Sequence, residues 1–372
     1  MKLRSLVLLA ALGFGLTACN DDGDDLLKDN ETKSVTISLA NVLPQSKGTG
    51  TQIANGTKVK LNDWYVVFTD GKALYTGYDL TGGKQQPASK YYDAATTSHT
   101  FHYVNGAANK AIVIGNVGGE NGALSTALEN CADLASLNAI IREMTGEQDA
   151  DALTLYGVGD FTKDDNNDTE GHSNFYKANI NVTPLIARVE VTGFKYTGTK
   201  YTSIALNHIA IDKYYNAVTL AGATSGDISF ANVAGTGNSQ NFFAGLTTKG
   251  WMHDAITNAT LTDGQLVEAS DLLTAANENA YVYHVAAGQA FPVPHIVLDM
   301  VGTLAEGTTQ MPLHIVAKGL KTTESLTNLE PGKIYRLSFE FTDADLEQPA
   351  KCVEVTVTVA DWVVEVVTPQ FS

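Results

Sequence analysis

Strict two-residue alternation of apolar and polar side chains, present near both ends of the chain, limits the fold most. Within residues 34–40, Val35, Ile37 and Leu39 fall on one side and Thr36 and Ser38 on the other. Near the opposite end Val353, Val355, Val357 and Val359 repeat the pattern. A strand sends successive side chains to opposite faces, so this period predicts half-buried β-structure. Comparable signals recur at residues 61–69 (with Trp64, Val66 and Phe68 on one face), 102–105, 111–114, 180–191, 203–212, 280–285, 295–301, 311–316 and 333–341. Asp70-Gly71 and Pro331-Gly332 supply turns between them. Leu134, Leu137, Ile141 and Met144 are spaced for one helix, with Asp133 to cap its start and Gly146 its end. A chain of 372 residues suggests two or three domains, and 44% hydrophobic content supplies their cores. A net charge of −17 argues against nucleic-acid binding, which needs clustered Lys and Arg.

The first residues read as an address. Lys2 and Arg4 precede an apolar run over residues 5–16, too short to span a bilayer as a helix. Leu16-Thr17-Ala18-Cys19 resembles the bacterial lipobox, which makes Cys19 a lipidation site and residues 1–18 a signal peptide. Asp21, Asp22, Asp24 and Asp25 follow at once. They form a solvated tether, and the run resembles the surface-export signal of Bacteroidetes lipoproteins. No later stretch reaches the ~18 apolar residues of a transmembrane helix.

Chemistry is sparse. No nucleophile elbow, phosphate loop, zinc-protease motif or dinucleotide fingerprint occurs, so neither an enzyme nor a cofactor is expected. His99 and His102 lie three apart with no cysteine nearby and read as strand residues. Asp164, Asn166, Asp168 and Glu170 alternate as in a calcium loop, but Thr169 and Phe175 occupy the positions of the required Gly and Glu, so no metal site is expected. Trp64 and Trp362 sit in apolar strand patterns and read as core, while Trp251 remains open to a ligand. Three cysteines are too few for a disulfide framework, and pairing of Cys131 with Cys352 stays open.

The strand carrying Val35, Ile37 and Leu39 is joined to the body by the turn-rich segment 44–50, in which Lys47-Gly48 is open to a protease. A cut there would let the strand leave. The vacated groove, with unpaired backbone on both sides, could accept another strand. Residues 363–371, with Val363, Val364, Val366, Val367 and Phe371, could donate one or could form an ordinary final strand.

This order of features resembles the fimbrillins of Bacteroidetes, the type V pilins. The likeness runs from the lipobox cysteine and alternating strand through the linker lysine and Lys110-Ala111-Ile112-Val113-Ile114-Gly115-Asn116-Val117-Gly118. It continues in Leu185-Ile186-Ala187-Arg188-Val189-Glu190-Val191, Asn328-Leu329-Glu330-Pro331-Gly332-Lys333-Ile334-Tyr335 and Val355-Thr356-Val357-Thr358-Val359-Ala360-Asp361-Trp362. The resemblance implies a mainly β fold of two transthyretin-like β-sandwiches, with the one short helix in the first. The expected divisions are 1–18 (signal), 19–47 (acidic tether and removable first strand), 48–175 and 176–372 (the two sandwiches). It also implies an outer-membrane lipoprotein precursor that is displayed at the surface. There a protease removes the first strand and the last strand of another pilin subunit replaces it. Partners would be other subunits, anchor and tip subunits among them, and the processing protease. Many relatives are cut after Arg, but none occurs between Arg4 and Arg142; Lys47 lies at the matching linker, so the cut is expected at Lys47-Gly48, with Lys58 and Lys60 as poorer alternatives because they adjoin the next strand. The free tail 363–372 favours a stalk subunit. The second reading is a surface glycan-binding or adhesin lipoprotein that does not polymerise.

Overall fold

The computed structural model describes residues 32–40, 42–44, 58–81, 84–120, 122–165, 174–229, 252–273, 279–289, 291–346 and 352–366. They form mainly strands, in two β-sandwich-like bodies.

The first body is built on two six-stranded sheets. One runs, in hydrogen-bonded order, Thr162–Lys163, Phe175–Ile180, Thr32–Leu39, Ser98–Asn105, Tyr78–Thr81 and Lys84–Pro87. The other runs Thr183–Pro184, Leu155–Asp160, Lys110–Gly115, Asp63–Thr69 and Leu74–Tyr75, with Tyr91–Asp93 also paired to Asp63–Thr69. Val35, Ile37, Phe101, Phe68, Val113 and Leu155 share one buried core. The Phe68 and Phe101 rings meet edge to face at 5.0 Å between centroids.

Trp64, Val66 and Phe68 are buried as expected, but so are Tyr65 and Val67. Asp63–Thr69 has no solvent face because the chain covers its outer side as well. The Tyr91 hydroxyl, beside Tyr65, donates to Glu129 Oε1 at 2.9 Å, and Leu124, Leu128 and Leu137 join the same core. Leu124 and Leu128 come from a helix at Ala123–Glu129 that the apolar spacing alone did not mark.

The expected helix is shorter than its spacing suggests. Asp133 does cap it: its carboxylate accepts from Ser136 N–H at 2.8 Å, and Asp133 N–H donates to Ser136 Oγ at 3.1 Å. Helix Leu134–Asn138 then stops, and Gly146 plays no part in ending it. Ile141–Glu143 is a strand paired antiparallel with Tyr214–Thr219, far along the chain. Ile141, spaced as a core residue, is 52% exposed. Pairing with a distant strand has overridden the local helical period.

The second body is a nine-stranded sheet. Ile186–Thr197 pairs parallel with Lys333–Thr342, and Tyr201–Asp212 pairs antiparallel with His295–Leu304. Its parts enclose a second core containing Val189, Phe194, Ile204, Leu298, Leu337 and Phe339. Ala178, Ile180, Val182 and Ile186 still belong to the first core, and Ala187 begins the second.

Polar contacts join the bodies. His284 Nδ1–H donates to the Glu147 carbonyl at 2.8 Å, and Gln148 Nε2 donates to the His284 carbonyl at 3.0 Å. Glu147, fully buried, accepts from Arg142 Nε at 3.0 Å and from Thr154 N–H at 2.8 Å. Burial and the nearby Arg188 guanidinium push the His284 imidazole down to about 4. An unfolded histidine binds its proton near 6.5. Acid therefore favours the unfolded chain between those two values, and the stability held by neutral His284 is lost as pH falls from about 6.5 to about 4. Thermal melts across this window will show Tm falling with pH, and His284→Gln will flatten the fall.

Candidate functional site

Thr32–Leu39 lies in the interior of its sheet. It runs antiparallel to Ser98–Asn105 on one side and parallel to Phe175–Ile180 on the other. Both neighbours come from far along the chain, so this strand occupies a slot they frame. Val35 faces Phe101 and Tyr176 in register, and Ile37 faces His99 and Ala178. Val35 and Ile37 are fully buried and Leu39 nearly so, as the alternation predicts. Backbone bonds hold the ends: Ser34 N–H donates to Asn174 O at 3.0 Å, and Ala40 N–H to Ile180 O at 2.9 Å.

The opposite face is polar and also paired. Thr36 and Thr100 hydroxyls lie 2.9 Å apart, Ser38 and Ser98 hydroxyls 3.0 Å, and Ser34 Oγ is 3.1 Å from His102 Nδ1. Lys33 shares the parity of Val35, Ile37 and Leu39. Its ammonium donates to Ala108 O at 2.7 Å and lies 5.0 Å from the Tyr176 ring centre. Burial lowers its affinity for a proton. Sequence reading missed this inward lysine, although its parity with Val35 was the available signal.

The terminal strand sits elsewhere. Val363–Val366 is the middle strand of three, parallel to Val42–Pro44 on one side and to Lys58–Leu61 on the other. Val364 is in register with both Val42 and Val59. Val59 and Leu61 are fully buried in the first core. The segment that continues from the first strand thus covers one edge of the terminal strand. No sequence signal pointed to that pairing, because a three-residue strand has too few positions to show a period.

Trp362 roots the terminal strand and is buried, as its pattern suggested. Its backbone N–H donates to Gly332 O at 2.9 Å, and its ring lies 5.0 Å from that of His284. Beside it Glu190 accepts from Arg188 Nε at 2.7 Å and from Arg336 Nε at 2.6 Å. One carboxylate so holds two guanidinium groups where water is scarce.

Cys19, Lys47, Gly48, Val367, Phe371 and Trp251 lie outside the described residues, as does Asn166–Glu170 of the calcium-like alternation. The side chains of Val363, Val364 and Val366 also lie outside them, although their backbone pairing is described. Cys131 is free, its Sγ 3.3 Å from Ala127 O. Trp64 is core, stacked on Tyr92 at 4.6 Å with Nε1–H donating to Thr96 O. His99 is a strand residue, but it has the carboxylate partner that sequence alone did not reveal: Nε2 is 2.7 Å from Asp79 Oδ1. Among the described residues no three His, Cys, Asp or Glu side chains gather as a metal site.

No family model and no curated protein matches the sequence. Solved structures do match the fold. A candidate cell adhesion protein from Bacteroides eggerthii is 17% identical, with 91% of this chain and 98% of that one covered and a TM-score of 0.53. A candidate cell adhesion protein from Parabacteroides distasonis is 13% identical, with coverage of 92% and 99% and a TM-score of 0.55. A fimbrilin from Porphyromonas gingivalis is 12% identical, with coverage of 91% and 99% and a TM-score of 0.50. Over about nine-tenths of its length the chain therefore has the fold of Bacteroidetes fimbrilins and cell adhesion proteins.

The groove can be tested by side chain. Truncating a fully buried Ile leaves a cavity, so Ile37→Ala will lower the unfolding free energy by about 2–5 kcal/mol. Thr36→Val, on the opposite face, will change it by about 1 kcal/mol or less. Urea titration of both variants checks the asymmetry.

Proposed function

We propose that this chain is the structural subunit of a surface fimbrium, made as an outer-membrane lipoprotein precursor and polymerised by strand exchange. The observation that carries the reading is Thr32–Leu39: an N-terminal strand with a buried apolar face, held in a slot between two strands of the body. Lipid on Cys19 anchors the precursor. A protease cuts Lys47-Gly48, residues 19–47 depart, and the segment 363–371 of a second copy enters the slot. Anchor and tip subunits complete the filament. The proteins that share the fold are named as fimbrilins and adhesion proteins rather than enzymes, which agrees with the sparse chemistry.

The cut itself breaks none of the contacts of the first strand. It removes the covalent tether, so a segment held at roughly millimolar effective concentration becomes a peptide that dilutes away. Each buried Val, Ile or Leu contributes about 1.5–3 kcal/mol, so an incoming strand regains several kcal/mol by refilling the slot. Departure also uncovers the edge of Val363–Val366 that Val42–Pro44 had covered. One cut thereby opens the acceptor and frees one side of the donor.

Trypsin can stand in for the protease because it cleaves after lysine. Treated protein will form a ladder of SDS-resistant oligomers whose subunits begin at Gly48. Oligomers that retain residues 34–47 would refute strand exchange. Deleting residues 363–372 will leave a folded monomer that forms no ladder after the cut, and filaments from that deletion would refute the donor assignment.

A further inference from the structure

A cleft of about 750 Å³ opens on the first body, where the start of the first strand meets the ends of neighbouring strands. Tyr75, Tyr78 and Tyr103 line it together with Thr76, Gln85 and Asn105.

Tyr103 is unusual in two respects. Its φ is +51°, a left-handed conformation that crowds Cβ against the backbone and that Gly or Asn adopts far more readily. Its ring is nonetheless exposed, at 37%. The register explains the geometry. Lys33 pairs with Val104 and Val35 with Phe101, so Ser34 faces both His102 and Tyr103. This bulge keeps Phe101 and Val104 in the core and turns Tyr103 outward. The bulge needs no aromatic side chain there, and burial gives none a purpose. Backbone strain at an exposed aromatic residue points to a role outside folding.

The surroundings specify a ligand. The Tyr78 ring stands 6.4 Å from that of Tyr103 at 80°, forming a wall beside the exposed face. The Tyr75 hydroxyl donates to Asp70 Oδ2 at 3.0 Å, which fixes that ring. Asn105 Oδ1 accepts from Ala107 N–H at 2.8 Å, which orients the side chain and leaves Nδ2 to donate. Gln85 adds a second, exposed amide. Among the described residues no Asp, Glu, Lys, Arg or His lines the cleft, although the chain carries a net charge of −17. A charged ligand would find no counter-ion here, whereas aromatic rings beside amides suit a molecule with apolar C–H faces and many hydroxyls.

We propose that this cleft binds a neutral saccharide, with a sugar ring laid on Tyr103 and its hydroxyls bonded to Asn105 and Gln85. The site is complete in the chain that retains the first strand, since Thr32 forms part of its wall.

The test uses that full chain and neutral oligomers of glucose, galactose and mannose, with sialylated and sulfated oligosaccharides as charged comparators. Binding is read by saturation-transfer NMR and calorimetry. At least one neutral oligomer will bind with a Kd of about 1 mM or tighter, and the charged comparators will bind more weakly. Tyr103→Asn will weaken that binding about tenfold or more while Tm stays level or rises, because Asn accepts the left-handed backbone. Tyr103→Phe, which keeps the ring, will retain the binding. The proposal fails if no neutral oligomer binds, if the charged ones bind better, or if Tyr103→Asn binds as well as the parent chain. A lower Tm for Tyr103→Asn would show a structural residue and overturn the proposal as well.

Discussion

The first body depends on a strand that the chain could lose. Val35, Ile37 and Leu39 fill the space between Ser98–Asn105 and Phe175–Ile180 and complete the core shared with Phe68 and Phe101. Without that strand its two neighbours have no hydrogen-bonded partner between them, and the apolar side chains beneath face water. Leaving a buried backbone group unpaired costs free energy comparable to a lost hydrogen bond. The slot must therefore be filled, but main-chain pairing and alternate apolar side chains are requirements that more than one sequence can meet.

The strand Val42–Pro44 sits beside Val363–Val366, so segments distant in sequence are neighbours in one small sheet. Trp362 marks where the terminal strand leaves the body, wedged beside His284 and the Arg188–Glu190–Arg336 network. That root is buried, whereas the contacts of Val363–Val366 with its flanking strands are only three or four residues long. A short pairing on a buried base fits the proposed exchange of partners.

Much of this was legible in the residues. The parity of Val35, Ile37 and Leu39 gave both the strand and its buried face, because half-buried strands impose period two. Asp133 gave its helix start through local hydrogen bonding. What escaped detection depended on distant partners. The helical spacing continued to Ile141 and Met144, yet pairing with Tyr214–Thr219 drew residues 141–143 into a strand. Lys33 looked like part of a polar tether until its ammonium was seen against Ala108 O and Tyr176. Tyr103 read as an ordinary strand residue, since a bulge follows from the register of two strands and from neither alone. The three-residue pairing of Val42–Pro44 left no trace in composition or period.

Residue-resolved hydrogen exchange tests strand exchange most directly. The amides of Ser98–Asn105 and Phe175–Ile180 that bond the first strand should be protected in the intact chain. They should lose protection when residues 32–47 are removed, and regain it when a synthetic peptide of residues 362–372 is added. Protection that persists after removal of the first strand, or that the peptide fails to restore, would contradict the exchange of one strand for the other.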